Sequence, residues 1–269
     1  LSFTFLTCVL IIQLIQVNIT VPIFSYSFGN TVEKITKKTT HTSLPSPLSV
    51  QYAAQKAPYD SLVLVGDVLL ARNVEYLMDT YGTGYPYQGL SFTEVATRPA
   101  VVGNFESSAA TVHTQTLARM MRFSTAESNI PALSKAGFTY MSQANNHAYD
   151  FAQIGFDNAT AALEKNDIET FGHPSRVDKT SVEFITVDDS VIAIIAAHTL
   201  TQLPNYSELK EVFTYATARS DMQIVYVHWG DEYVPVHNKR QREAAERFID
   251  AGADLIVGHH PHVVQDIEL

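Results

Sequence analysis

Five short apolar runs, rich in β-branched residues, each stop abruptly at side chains able to bind a metal or move a proton. Residues 61–65 (SLVLV) end in Gly66-Asp67, and residues 99–102 lead into Gly103-Asn104-Phe105-Glu106. Residues 138–144 lead into Asn145-Asn146-His147, residues 222–227 into His228-Trp229-Gly230, and residues 254–257 into Gly258-His259-His260-Pro261-His262. Apolar runs this short, with no polar alternation, fit strands buried on both faces. Helical periodicity falls between them. It predicts helices over residues 130–136 with Pro131 in the first turn, over residues 154–165, and over Lys239–Ala251 closed by Gly252. Val182–Val187 and residues 191–197, joined through Asp188-Asp189-Ser190, predict a hairpin.

Strands alternating with helices give an α/β domain, and in open α/β sheets ligands bind beyond the carboxyl ends of the strands. The five polar motifs are therefore expected to converge on one site. That convergence is the main inference the pattern allows, because each motif taken singly is weak.

The pattern changes before residue 61. Residues 1–24 carry no charged side chain and are mostly apolar, long enough to span a bilayer core of about 20 residues. No Met or basic flank precedes Leu1, so the sequence is expected to begin inside a signal or anchor segment. Three readings stay open: an uncleaved anchor, a cleaved signal peptide, and a buried or interfacial segment. The first two place the remainder outside the cytoplasm, tethered to the cell membrane or secreted. Residues 25–60 are rich in Thr, Ser and Lys, with Pro45 and Pro47 outside any apolar periodicity, which predicts a flexible linker. The expected organisation is an N-terminal segment over 1–24, a linker over 25–60 and a folded domain over 61–269.

Composition narrows the chemistry. With 269 residues and 46% apolar side chains, the chain can bury a full core. Its 18 Lys and Arg against 28 Asp and Glu leave a net charge of −10, which speaks against a surface that must neutralise phosphates, so nucleic acid is not an expected partner. A single cysteine, Cys8, excludes an intrachain disulfide framework and a thiolate cluster. Any metal must be held by His, Asp, Glu or Asn.

Gly66-Asp67 alone reads equally as a turn or helix cap, Asn145-Asn146-His147 as a turn, and His228 as a satisfied core histidine. A carboxylate such as Glu106, following a buried strand, needs a partner charge or water. His260 and His262 differ, since alternate histidines in an extended segment present two nitrogens to one side. His113, His173, His198 and His237 sit in no such setting and are read as loop or surface residues. Carboxylate, amide oxygen and imidazole together suit Mn²⁺, Zn²⁺ or Fe, and six candidate ligands leave room for one or two ions. His147 beside them could serve as a general acid.

The ordered motifs also carry a resemblance. Val65-Gly66-Asp67 through Arg72, Tyr85-Pro86-Tyr87, Gly103-Asn104-Phe105-Glu106, Ala144-Asn145-Asn146-His147-Ala148-Tyr149-Asp150, His228-Trp229-Gly230-Asp231-Glu232-Tyr233 and Gly258-His259-His260-Pro261-His262-Val263 resemble the bacterial capsule-synthesis protein CapA family. Its PgsA-type members belong to poly-γ-glutamate capsule synthesis and export, and the resemblance covers roughly residues 60–269. The family is in turn similar to calcineurin-like metallophosphoesterases, which implies a four-layer sandwich of two β-sheets flanked by helices, with a dinuclear metal site at the strand ends. By that resemblance Asp67, Glu106, Asn146, His228, His260 and His262 are metal ligands. His147 matches the histidine of the phosphoesterase Asn-His motif, with Asp150 beside it. Arg72 and Glu232 become substrate-orienting residues, and the cofactor is a divalent metal, Mn or Zn.

Two departures stand out. Leu69 occupies the place where the phosphoesterase pattern has a histidine two residues after the aspartate. No Ser-Leu-Gly-Asn-Phe-like segment follows the last histidine motif, so the sequence is expected to be a fragment at both ends. Two functions follow from the resemblance: a membrane-tethered component of a polyglutamate synthesis complex, with polymer or complex subunits as partners, or a metal-dependent phosphoesterase acting on another substrate. A structural adhesion domain would have no reason to keep His260 and His262 at a strand end.

Overall fold

The computed structural model describes residues 15–16, 59–92 and 96–268, and its strands follow the apolar runs. Ile15–Gln16 (β1), Ser61–Val68 (β2), Pro99–Phe105 (β3), Tyr140–Ser142 (β4) and Glu169–Phe171 (β5) form one sheet in the order β1-β2-β3-β4-β5. β1 joins β2 antiparallel, and the remaining neighbours are parallel. Val182–Val187 (β6), Ser190–His198 (β7), Met222–His228 (β8) and Leu255–His259 (β9) form a second sheet in chain order. β6 and β7 make the expected hairpin, while β7, β8 and β9 run parallel.

Successive side chains of a strand point to opposite faces, so each apolar run supplies two layers of core. Val63 and Val65 of β2 pack outward with Met78, Leu133 and Leu163, whereas Leu62 and Leu64 pack inward against Ile194, Ile224 and Tyr226 of the second sheet. On the far side of that sheet, Ile195, Val225 and Val227 meet Leu209, Phe213 and Phe248. The outward residues come from helices Asn73–Tyr81 (α1), Pro131–Ala136 (α2), Ala152–Glu164 (α3), Tyr206–Thr217 (α4) and Lys239–Ala251 (α5). The result is helix, sheet, sheet, helix: an α/β sandwich of four layers. Each fully buried Leu, Ile or Phe contributes about 1.5–3 kcal/mol relative to exposure.

α5 begins and ends where the sequence places it. The Asn238 side chain accepts from the Gln241 N–H at the start, and Gly252, at φ 116°, closes the end in a left-handed conformation. Two helices and a strand went unanticipated. α4 starts at Asn205, whose side chain accepts from the Glu208 N–H in a reciprocal capping box, and α1 and β5 carry little periodic signal.

The four histidines read as loop or surface residues are all engaged. His173 is buried, its Nε2 2.7 Å from the Tyr149 hydroxyl, and His198 is the last residue of β7. His113 bridges Glu75 and Ser124, and His237 lies between Asp266 and Arg242. Their loop-like sequence settings hid partners that lie far away in the chain. Apart from the backbone of Ile15–Gln16 and from Tyr59 and Asp60, the expected N-terminal segment and linker, with Cys8, lie outside the described residues. No helix among the described residues is long and apolar enough to cross a membrane.

Candidate metal centre

Asp67 reaches the site because β2 carries one extra residue. Leu64 pairs with Val102, but Asp67 pairs with Asn104, so three steps along β2 match two along β3. Without that irregularity Asp67 would fall on the same face as Val63 and Val65, since a one-residue slip reverses every side chain beyond it. At the irregularity the Val65 carbonyl accepts from the Tyr226 hydroxyl, which anchors it to the facing sheet.

Around Asp67 the strand ends of both sheets meet. Its Oδ1 accepts from Asn104 Nδ2 at 2.8 Å and lies 2.9 Å from His259 Nδ1 and 3.4 Å from His228 Nδ1. Its Oδ2 accepts the His260 backbone N–H at 2.8 Å and lies 3.3 Å from His262 Nδ1. Burial opposes the charge on Asp67, yet hydrogen bonds from His228 and His259 outweigh it and hold the carboxyl well below the usual range.

A second group lies alongside. Glu106, His260 and His262 each offer a ligand atom within 4.8 Å of the others, as Asp67, His228 and His259 do. His228 links the two, its Nε2 lying 2.8 Å from Asn146 Oδ1 and 3.6 Å from Glu106 Oε1. Burial, then the charges of Asp67, Glu232 and Asp150, push Glu106 well above its ordinary range. Burial holds His228 well below its ordinary value and His260 down to about 4. Burial would lower His262 too, but its contact with Asp67 carries it upward.

The acid–base candidates stand beside these groups. His147 Nδ1 lies 2.8 Å from Asp150 Oδ2, and the Phe123 ring covers the imidazole with centroids 4.0 Å apart. Arg122 donates to the Asp150 carbonyl and lies over the Phe151 ring. The segment between Glu106 and Pro131 is thereby fastened over His147.

All six ligand candidates and His147 with Asp150 are therefore brought together. Arg72 sits at the rim, donating to the Ala118 carbonyl at 2.9 Å with its guanidinium 5.7 Å from the Phe123 ring centroid. Glu232 is exposed, and its charge acts on Glu106, His260 and His262. Leu69 contributes no ligand atom. Asn104, Asn145 and His259 are additional participants: Asn145 donates to Asn104 Oδ1 and accepts the His147 backbone N–H. The signal for His259 was its place in the histidine cluster, which spacing alone did not separate from its neighbours.

Backbone strain concentrates here as well. Arg72, Tyr233, His260 and His262 have φ of 58°, 61°, 99° and 55°, a region that costs non-glycine residues free energy and recurs at functional sites.

The donor set fits a divalent cation. Carboxylates, an amide oxygen and imidazoles suit Mn²⁺, Zn²⁺ or Fe. Among the described residues His259 Nε2 and His260 Nδ1 are buried without hydrogen-bond partners, and the mutual repulsion of Glu106 and Asp67 is of the kind a cation relieves. The remaining group of this kind among the described residues, His237 with Asp266 and Glu268, already holds a cation: the Arg242 guanidinium meets His237 Nε2 and both Glu268 oxygens.

Residues 61–269 match the family described as bacterial capsule synthesis protein PGA_cap. The capsule biosynthesis protein CapA of Bacillus anthracis is 28% identical over 230 residues, covering 78% of this chain and 56% of that protein. The PGA biosynthesis protein CapA of Bacillus subtilis (strain 168) is 29% identical over 227 residues, covering 78% and 59%. The chain thus spans less than two thirds of the length of these curated relatives. Among solved structures, a hypothetical protein from Thermus thermophilus superposes with a TM-score of 0.43 at 16% identity, over 75% of this chain and 68% of that one. A novel phosphatase from Mycoplasma pneumoniae gives 0.46 at 16% identity, over 75% and 64%.

Proposed function

The chain belongs to the bacterial capsule synthesis protein PGA_cap family, and from that premise we propose that it acts in poly-γ-glutamate capsule synthesis or export through a metal-dependent site. In this reading the site holds one or two divalent cations, Mn²⁺ or Zn²⁺ by donor type, and engages an anionic polymer outside the cytoplasm. The domain is tethered through residues 1–24, or secreted where that segment is cleaved.

One observation carries the reading: Asp67, Glu106, Asn146, His228, His260 and His262, drawn from five strand ends, gather in two adjoining groups. A chain of net charge −10 handling a polyanion needs local positive charge, and cations at this site supply it. The two curated relatives are named for capsule and PGA biosynthesis, which agrees with that substrate class.

A second reading, phosphoester hydrolysis, is favoured by the His147–Asp150 pair. A bound cation supplies Lewis acidity toward an anionic oxygen. The chain's own part is proton handling and orientation. With its proton on Nδ1, directed to Asp150, His147 keeps Nε2 as the nitrogen that exchanges a proton, and Phe123 shields the ring from water. Arg72, held by the Ala118 carbonyl, offers a fixed positive charge at the rim.

The test is elemental analysis of the chain, paired with metal-dependent retention of labelled poly-γ-glutamate and with turnover of a chromogenic phosphodiester, with Asp67→Ala as control. Metal and polymer binding without turnover supports the first reading. Turnover abolished by Asp67→Ala supports the second, and a chain that takes up no metal sinks both.

A further inference from the structure

Three histidines stand side by side at the carboxyl end of the second sheet. His198, the last residue of β7, pairs in parallel register with His228 of β8, which pairs in turn with His259 of β9. Paired positions in neighbouring parallel strands project to the same face. Here it is the inter-sheet face, because Ala196, Tyr226 and Val257, two residues before each histidine, all lie in the core between the sheets.

His228 and His259 use that face to reach Asp67, but His198 is anchored elsewhere. Its Nδ1 lies 2.7 Å from the Pro174 carbonyl oxygen, which can only accept, so the proton sits on Nδ1 and Nε2 carries the lone pair. Nε2 is buried and finds no hydrogen-bond partner among the described residues. The His198 ring lies 5.8 Å from the His228 ring, inclined at 64°. A backbone carbonyl that fixes one nitrogen and turns the other into a bare lone pair is how proteins orient imidazoles that bind metals.

Resting on the reading of this centre as a metal site, we propose that His198 Nε2 is a further nitrogen donor to the cation held by His228 and Asn146. The sequence does not mark it, since His198-Thr199 follows an apolar strand with none of the Gly, Asn or His clustering of the other motifs. One consequence is chemical: another imidazole moves the preference of the site away from oxygen-seeking ions and toward Zn²⁺ or Fe²⁺.

The experiment is a Co²⁺ titration of the metal-free 269-residue chain, followed by calorimetry and visible absorption, for wild type, His198→Asn and His198→Gln. The asparagine amide can still donate to the Pro174 carbonyl but offers nothing at the Nε2 position, whereas the glutamine side chain can place an oxygen there. His198→Asn is expected to weaken Co²⁺ binding by roughly tenfold to a hundredfold and to alter the visible bands. His198→Gln is expected to recover part of both. Wild-type affinity and spectrum in His198→Asn overturn the proposal. So do equal losses in both variants that track an equal fall in the metal-free melting temperature, which would give His198 a packing role. A wild-type chain that binds no Co²⁺ overturns the metal reading itself.

Discussion

Asp150 Oδ2 serves two groups at once, lying 2.8 Å from His147 Nδ1 while accepting the Phe123 backbone N–H at 2.6 Å. The same carboxylate therefore fixes the imidazole and positions the aromatic ring that covers it. Orientation of the imidazole and placement of its aromatic cover are joined in one residue.

Removing that link separates acid–base work from metal binding. Asp150→Asn and His147→Ala are expected to leave metal content unchanged while lowering any hydrolytic turnover by about 10²–10⁴-fold. Elemental analysis beside turnover checks this. A loss of metal in His147→Ala as large as that in His260→Ala would make His147 a ligand.

The histidine cluster behaves differently. His260→Ala and His262→Ala should each lower Mn²⁺ or Zn²⁺ affinity by at least about tenfold, with little change in the circular dichroism of the metal-free chain. Equilibrium dialysis measures it, and unchanged metal content in both variants would falsify the ligand assignment.

Acidification should act through His260. Burial holds its folded value at about 4 against an ordinary 6.5, so between those two values the unfolded chain takes up the proton first and folding loses stability as pH falls. Glu106, pushed upward, carries the opposite sign, so the useful quantity is a difference. With chelator present, the advantage of wild type over His260→Gln in urea midpoint should be flat above about pH 7 and shrink from 6.5 toward about 4. A gap that stays constant through that window removes His260 as the titrating group.

Gly258 is a packing test with a built-in reporter. A Cβ there would lie 2.1 Å from Trp229 Nε1, and Trp229 is the single tryptophan of the chain. Gly258→Ala should displace that ring, cost about 1–3 kcal/mol and weaken metal binding by tilting His228 and His259 beside it. Tryptophan fluorescence reports the displacement directly, and an unshifted emission spectrum with wild-type stability would contradict it.

Much of the layout was legible because buried parallel strands leave an unmistakable trace. The runs ahead of Asp67, Glu106, His147, His228 and His260 were readable as strands that stop at a shared end, and α5 was readable from its periodicity and Gly252. The irregularity in β2 was not, because nothing in SLVLVGDV marks which residue is extra, although it decides the face on which Asp67 lies. His173 and His198 were misread for a related reason. Their partners, Tyr149 and Pro174, belong to segments whose proximity only the assembled sheets create. α4 escaped because its cap, Asn205 with Glu208, is a pair of ordinary polar residues until the helix exists.

Asp67 Oδ2 takes its hydrogen bond from a residue 193 positions later, the His260 backbone N–H. During synthesis the aspartate therefore precedes, by 193 residues, the backbone group that holds it. Domains fold largely as units once their segments are available, and both candidate ligand groups need histidines at the β9 end, so neither is complete before β9 is made. Under the proposed metal reading, the cation is taken up where β9 docks beside β8, because both candidate ligand groups include β9-end histidines.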